Sequence, residues 1–428
     1  MEKIFDIAVV GAGPSGLAAA IKAKELAPYA KVALIEKMQD AAKKLSASGN
    51  GRGNLSNRNC DSCDRVVEFF SQTGIAVRTD GEGRIYPYSE EAKAVSASLV
   101  KRAERLGIEM FLNTKVCDVE AVPGGHDGFR IFVCDGADSS KAAVRQIRQI
   151  RSRLVLIATG GKSYASYGST GDGQMMARRA GHTVSPMIPA LTAIEVREDL
   201  RELRGVRVKA AVSLFKSGDL VFREEGQIQF REDCVSGICI MNMSSHLPVS
   251  KTGEEKDALA DCRITVNFVP DFKAPELIGF LRQQTERHEA LVEDILETLV
   301  KGLLIRPILL RAEIEPNAAA GGLSSSDIMN IANALRMFEL TPLRRKGWKE
   351  AQVTKGGVDL KEIDEQTMES KIVPGLYFAG EVTDYDGPCG GYNLNNAWIT
   401  GIKAGTAMAE RIKKHVQNTS DKIESGRR

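Results

Sequence analysis

A chain of 428 residues exceeds the roughly 100–200 residues typical of one domain, so two or three domains are expected. Hydrophobic residues at 43%, charged residues at 27% and a mean hydropathy of -0.19 exclude a disordered or membrane-embedded class and describe a soluble globular protein. Lys+Arg at 58 against Asp+Glu at 56 leaves a net charge of +2, too even to mark a nucleic-acid or anionic-membrane surface, so neither partner is expected.

Glu2, Lys3 and Asp6 interrupt the apolar core that a cleavable signal would need, and no apolar run reaches about 18 residues. Eight cysteines scattered over the whole length read as reduced thiols, which points to the cytoplasm. From residue 5 the sequence FDIAVVGAGPSGLAAAIKAKELAPYAKVALIEK runs from a β-branched strand through glycines into an Ala/Leu/Lys helix and out to a second apolar strand. This is a βαβ unit. Its turn carries Gly11, Gly13, Pro14, Ser15 and Gly16: the first glycine allows the tight turn, the second lets backbone approach a pyrophosphate, and the third lets helix press on sheet. Glu36, followed by Lys37, closes the second strand, where an acid accepts hydrogen bonds from an adenosine ribose and favours FAD or NAD over NADP.

The next block, KKLSASGNGRGNLSN, separates FAD from NAD, because a nicotinamide enzyme needs no second polar wrap. Lys44, Ser48, Arg52 and Asn54 offer donors there, and Gly49, Asn50 and Gly51 bring backbone close. Cys60 and Cys63 follow as a CxxC, which in flavin disulfide reductases is a reactive pair. In GRIYPYS, Arg84 and Tyr86 suit a planar or anionic substrate and equally suit an ordinary strand. A meander (EMFLNTKVCDVEAV, containing Val116, then GFRIFVCDG) leads through the basic run Lys141, Arg145, Arg148, Arg151, Arg153, read as a solvated connector, to RLVLIATGG. Ala158, Thr159, Gly160 and Gly161 end that strand, where ligands of open α/β sheets bind. GSTGDG follows no apolar strand, which argues against a second nicotinamide domain.

Further on, VRVKAAVSLF and DLVFREEGQIQF flank a Ser217-Gly218-Asp219 turn, and EALVEDILETLVKGLL and SSDIMNIANALRMFEL have helical periodicity, the latter opened by serine caps and Asp327. GLYFAGE returns to a strand ending in Gly380 and Glu381, and a turn from Asp386 through Gly390 and Gly391 enters a helix at Tyr392, Asn393 and Leu394. A helix N-terminus there favours the negative charge of a reduced flavin, and bare glycines let the ring approach. The sequence holds no metal-ligand cluster and no nucleophile-base elbow. His182 reads as structural, and the tail QNTSDKIESGRR as unstructured.

GAGPSGLAAA, KKLSASGNGRGNLSN, ATGGKSYASYGSTGDG and TMESKIVPGLYFAGEVTDYDGPCGGYNLNNAWITG resemble, in order and spacing, the BaiN/RdsA (YhiN-like) family of FAD-dependent, aminoacetone-oxidase-like oxidoreductases. The resemblance implies an α/β fold: a Rossmann-like, glutathione-reductase-like FAD-binding domain, an inserted β-barrel-like domain and a small helical domain. The segments expected are 1–189 and 358–428 for FAD, 190–270 and 341–357 for the barrel, and 271–340 for the helices. Gly53 stands where relatives commonly have Cys, and Cys234 where glycine is more usual. The expected reaction is hydride transfer between flavin N5 and a small organic molecule, an enone, a steroid-like compound or an amine, in a pocket between FAD domain and barrel. NAD(P)H visiting transiently, or oxygen, would recycle the flavin. Tyr392, with Arg84 and Tyr86, is a substrate candidate. The alternatives are a dithiol/disulfide reductase using Cys60 and Cys63, and a non-catalytic or RNA-associated flavin sensor.

Overall fold

A computed structural model describes residues 4–122, 128–135, 147–249, 255–286 and 290–425; Lys141 and Arg145 of the basic run lie outside them. The chain forms two compact units, Met1–Pro189 with Gln352–Arg428, and Ala190–Ala351.

In the first unit a seven-stranded sheet runs in the order Glu109–Phe111, Val32–Ile35, Ile4–Val10, Ile147–Ile157, Phe129–Asp135, Thr114–Ala121, with Leu376–Phe378 also on Ile147–Ile157. The first four strands and Leu376–Phe378 are parallel, and the meander strands are antiparallel. Val32–Ile35 is buried at all four positions, which is why it reads as continuous apolar sequence and not as an alternation. Val10 lies level with Ile35 and Ile157, and Ile157 with Phe378. Gly11, Glu36, Ala158 and Ala379 therefore emerge together at one carboxyl edge.

The first helix, Pro14–Leu26, packs on the last, Tyr392–Ser425. A Cβ on Gly401 would lie 2.3 Å from the Ser15 carbonyl oxygen, and one on Gly405 2.3 Å from that of Ala19. The two backbones thus touch at successive turns, an approach that only glycine permits. Beside this crossing, Trp398 is fully buried, its indole edge-on to Phe70 at 5.2 Å and its Nε1 donating to the Leu55 carbonyl at 3.0 Å. The last helix continues to Ser425, so the tail expected to be unstructured is helical through that residue.

The second unit has its own core. Its antiparallel sheet runs Phe338–Leu340, Cys262–Asn267, Arg207–Lys216, Asp219–Phe230, Cys234–Ser236, Ile194–Val196, Pro342–Arg345. The two long strands turn at Ser217 and Gly218, both at positive φ. Four helices, Ala274–Thr285, Val292–Leu296, Gly302–Arg311 and Ser325–Arg336, share the apolar cluster of that sheet. EALVEDILETLVKGLL is broken between Leu296 and Gly302. Ser324 Oγ accepts from the Asp327 amide at 3.2 Å while the Asp327 carboxylate accepts from the Ser324 amide at 2.8 Å, a reciprocal cap. Among the described residues no helix is long and apolar enough to cross a membrane.

Candidate functional site

The glycine loop divides its labour. A Cβ on Gly11, at φ +102°, would lie 2.4 Å from the Ala158 oxygen, and one on Gly16 1.9 Å from the Gly11 oxygen. Gly13, the N-cap of the first helix, faces open space with nothing within 4 Å. The outer glycines answer to packing; the middle one leaves the room that a phosphate needs at a helix N-terminus. Pro14 occupies the first helical turn, and the Ser15 hydroxyl donates to the Ala379 carbonyl at 3.2 Å, tying the loop to the strand before Gly380. Glu36 accepts from the amides of Ala12 and Met38, both at 2.9 Å, which fixes its carboxylate beside the loop. Lys37 instead reaches Asp172 at 2.6 Å and also Thr170. Burial would raise the Asp172 carboxyl, but the Lys37 hydrogen bond and charge, with Thr170 and Lys115, hold it below its ordinary value. Val116 is buried where the meander register shifts.

Lys44 and Glu381, 337 residues apart, meet at 2.8 Å. Lys44 also donates to Ser163 Oγ at 3.0 Å, and Glu381 Oε1 accepts from the Ser163 hydroxyl at 3.2 Å and the Thr354 amide at 2.8 Å. A Cβ on Gly161 would lie 2.3 Å from Thr354 Oγ1 and 2.8 Å from Glu381 Oε1. Ser163 and Thr354 are site residues that sequence reasoning missed. Ser163 lies just past the strand end in ATGGKS, where a single serine is not distinctive, and Thr354 carries no local signal because its role depends on a contact across the fold. Gly160 lies at positive φ, its carbonyl held by the Gln174 amide at 3.1 Å. The hydroxyls of Ser48 and Thr159 are buried without a hydrogen-bond partner among the described residues, a state that native proteins rarely leave unfilled.

Gly49, Asn50 and Gly51 turn left-handed in succession, and the chain after them is stitched to the last helix. With its side-chain amide turned so that nitrogen faces the Ser56 carbonyl, the orientation that satisfies both ends, Asn54 donates to that carbonyl at 3.1 Å and accepts from the Gly391 amide at 3.3 Å. Asn57 donates to the Gly390 carbonyl at 2.9 Å, and the Ser56 hydroxyl to Asn395 at 2.7 Å. Asn393 accepts from the Gly387 amide at 2.9 Å and returns a bond to its carbonyl at 2.8 Å. Asp386 lies 3.9 Å from Lys355, Leu394 packs against the main core, and Gly380 donates to Thr400 at 2.9 Å. Residues 48–57 and 380–395 thus form one locus, with Tyr392 opening the helix.

Arg52 stacks on Tyr86 at 4.8 Å and donates to its hydroxyl at 3.3 Å, so these two candidates come together. Arg84 pairs with Glu82 and Asp80 in its own turn. Burial above all pushes the Cys60 thiol up, and Cys63 is buried; a dithiol relay uses the opposite shift. Among the described residues no cluster of His, Cys, Asp and Glu could hold a metal. The open Gly13 cradle, the two orphan hydroxyls and the amide-rich turn fit a dinucleotide with a flavin ring.

The sequence matches the model of the HI0933-like protein Rossmann domain over residues 61–407 and that of an FAD binding domain over 6–86. It is 31% identical over 426 residues to the 3-dehydro-bile acid delta(4,6)-reductase of Clostridium scindens, covering 95% of this chain and 99% of that protein. It is 27% identical over 423 residues to the ribosomal RNA dihydrouridine synthase of Escherichia coli, covering 93% and 96%. Among solved structures the fold is similar to the 3-ketosteroid delta1-dehydrogenase of Sterolibacterium denitrificans, at 12% identity and a TM-score of 0.51, covering 95% of this chain and 100% of that one.

Proposed function

Since the chain belongs to the HI0933-like Rossmann-domain family and is an FAD-dependent oxidoreductase, we propose that it reduces a carbon–carbon double bond conjugated to a carbonyl in a steroid-like enone. The observation that carries this reading is the 31% identical relative, named for a bile-acid reductase, which matches 95% of this chain. FAD, when bound, supplies the hydride chemistry. In this reading the Gly11–Gly16 loop holds the pyrophosphate, Glu36 the adenosine ribose and Glu381, braced by Lys44, the ribityl chain. Residues 48–54 and 390–394 hold the ring. The N-terminus of the 34-residue last helix favours negative charge beside it. NAD(P)H, entering the same pocket transiently, recycles the flavin.

A second reading is favoured by the 27% identical relative: the double bond of a uracil base is also conjugated to a carbonyl, so the same chemistry could act on RNA. One anaerobic experiment separates the two. The purified holoprotein is reduced with NADH or NADPH, then mixed with a 4-en-3-one steroid or unmodified ribosomal RNA, and in a separate arm the oxidised holoprotein is mixed with a primary amine. Reoxidation by the steroid, with a product two hydrogens heavier, is the expected result. Dihydrouridine formed on the RNA without steroid turnover would overturn it in favour of the second reading, and reduction of the oxidised flavin by the amine would overturn both.

A further inference from the structure

We propose that Tyr385 is the proton donor of this reaction; the inference rests on the conjugate-reduction reading above. Reducing an enone adds a hydride at the β-carbon, which breaks the carbon–carbon π bond and leaves the electron pair on the enolate. That pair must then take a proton at the α-carbon. The flavin supplies the hydride, the Tyr385 O–H bond breaks to supply the proton, and the phenolate regains one from water.

The geometry comes from the loop that leads into the last helix. The Tyr385 amide donates to the Thr383 carbonyl at 2.8 Å and the Asp384 amide to the Val358 carbonyl at 2.9 Å, which fixes the backbone. Two tyrosines then converge on Gly387. A Cβ built there would lie 3.0 Å from the Tyr385 hydroxyl oxygen and 2.9 Å from Tyr392 Cβ. Gly387 is held in turn by Asn393, and the Tyr392 ring lies along Gly390. The Tyr385 hydroxyl is therefore at the same turn as the amides assigned to the ring. Among the described residues the hydroxyl of Tyr385, a partly exposed residue, has no hydrogen-bond partner and is open to a substrate. Burial, and then Cys60, Asp386 and Tyr392, push the phenol above its ordinary value, which keeps it protonated through the neutral range. Asp386 faces Lys355 at 3.9 Å. The Cys60 thiol is protonated as well and supplies the comparison variant.

The test is rapid mixing of reduced holoenzyme with a 4-en-3-one steroid in wild type, Tyr385→Phe and Cys60→Ser. Loss of a general acid slows reoxidation of Tyr385→Phe by about 10²–10⁴-fold. Cys60→Ser stays at the wild-type rate. Ferricyanide, which takes electrons and needs no proton at carbon, reoxidises all three equally, and FAD content is unchanged. An ultraviolet pH titration of the protein, independent of turnover, shows a high-pH phenol phase, shared with the buried Tyr377, that loses one tyrosine's amplitude in Tyr385→Phe. Should Tyr385→Phe lose its FAD, the variant is reconstituted with added FAD and its reoxidation is read per bound flavin, slowed with the enone and not with ferricyanide. A wild-type rate in Tyr385→Phe, or a Tyr385 phenol titrating at or below the ordinary value, overturns the assignment and leaves the conjugate-reduction reading standing. A wild-type enzyme that no enone reoxidises takes down that reading and the assignment with it.

Discussion

Gly13 and Gly16 share one loop and differ in what a methyl group would meet there. At Gly13 it enters open space, and at Gly16 it lies 1.9 Å from a carbonyl oxygen. Gly13→Ala is therefore expected to melt within about 1 kcal/mol of wild type as apoprotein while losing most of the stabilisation that added FAD confers. Gly16→Ala is expected to lose about 1–3 kcal/mol with or without FAD. Thermal melts with and without the cofactor check both. His182 gives a pH signature. It is 3% exposed, lies edge-on to Phe378 at 4.8 Å and shares a 2.7 Å hydrogen bond with Ser370 Oγ, and burial lowers its pKa from 6.5. A histidine kept neutral in the fold contributes no penalty above pH 6.5. Below that the unfolded chain takes up a proton that the folded chain refuses, so stability falls until pH drops past the folded value. His182→Gln is expected to show a shallower loss of stability than wild type between about pH 6.5 and pH 5, read from urea unfolding at several pH values; equal slopes would contradict it. The close packing at Gly11 and Gly16, the place of Glu36 at the end of the second strand and the burial of His182 were legible because each answers to its local sequence. Ser163 and Thr354 were not, because their partners are set by a contact between strand ends nearly two hundred residues apart.

At the scale of elements, the crossing of the first and last helices makes a sharp demand. A Cβ on Gly405 would press 2.3 Å from the Ala19 oxygen, backbone against backbone, whereas Gly279, exposed in the helix Ala274–Thr285, meets nothing within 4 Å. Gly405→Ala is expected to cost about 1–3 kcal/mol or more, and Gly279→Ala to stabilise by about 0.5–1 kcal/mol, both read from urea midpoints. A neutral Gly405→Ala would mean that the helices do not touch as described. The strand-helix-strand opening and the capping box at Ser324 were readable from period and cap chemistry. The break between Leu296 and Gly302 was not, since an apolar run with helical spacing carries no mark of where tertiary contacts interrupt it. The helical continuation to Ser425 was not legible because its polar composition mimics that of a free tail.

At the scale of the molecule, the two apolar cores share no residue: one is built from 5–184 and 358–412, the other from 194–340. Where the chain leaves and re-enters the first unit it lies against itself, with the Ser185 amide donating to the Gly357 carbonyl at 2.8 Å and a Cβ on Gly356 falling 2.3 Å from the Pro186 oxygen. Joining residue 189 to residue 352 through a short flexible linker is therefore expected to give a soluble protein that still binds FAD. Visible absorbance of the purified protein checks it, and a colourless or aggregated product would refute it. Four motifs, taken in order, made the return of the chain to its first unit legible; the stitching of Asn54 and Asn57 to Gly391 and Gly390 was not, because amide side chains give no hint of their distant partners. That return has a bearing on biosynthesis. Leu376–Phe378 joins the edge of Ile147–Ile157 only about 200 residues later, which at about 5–20 residues per second leaves the nascent sheet unfinished for tens of seconds. During that interval the early segment is open to aggregation on the ribosome, and under the proposed reading the prosthetic group is held only once translation has passed the distant half of its cradle.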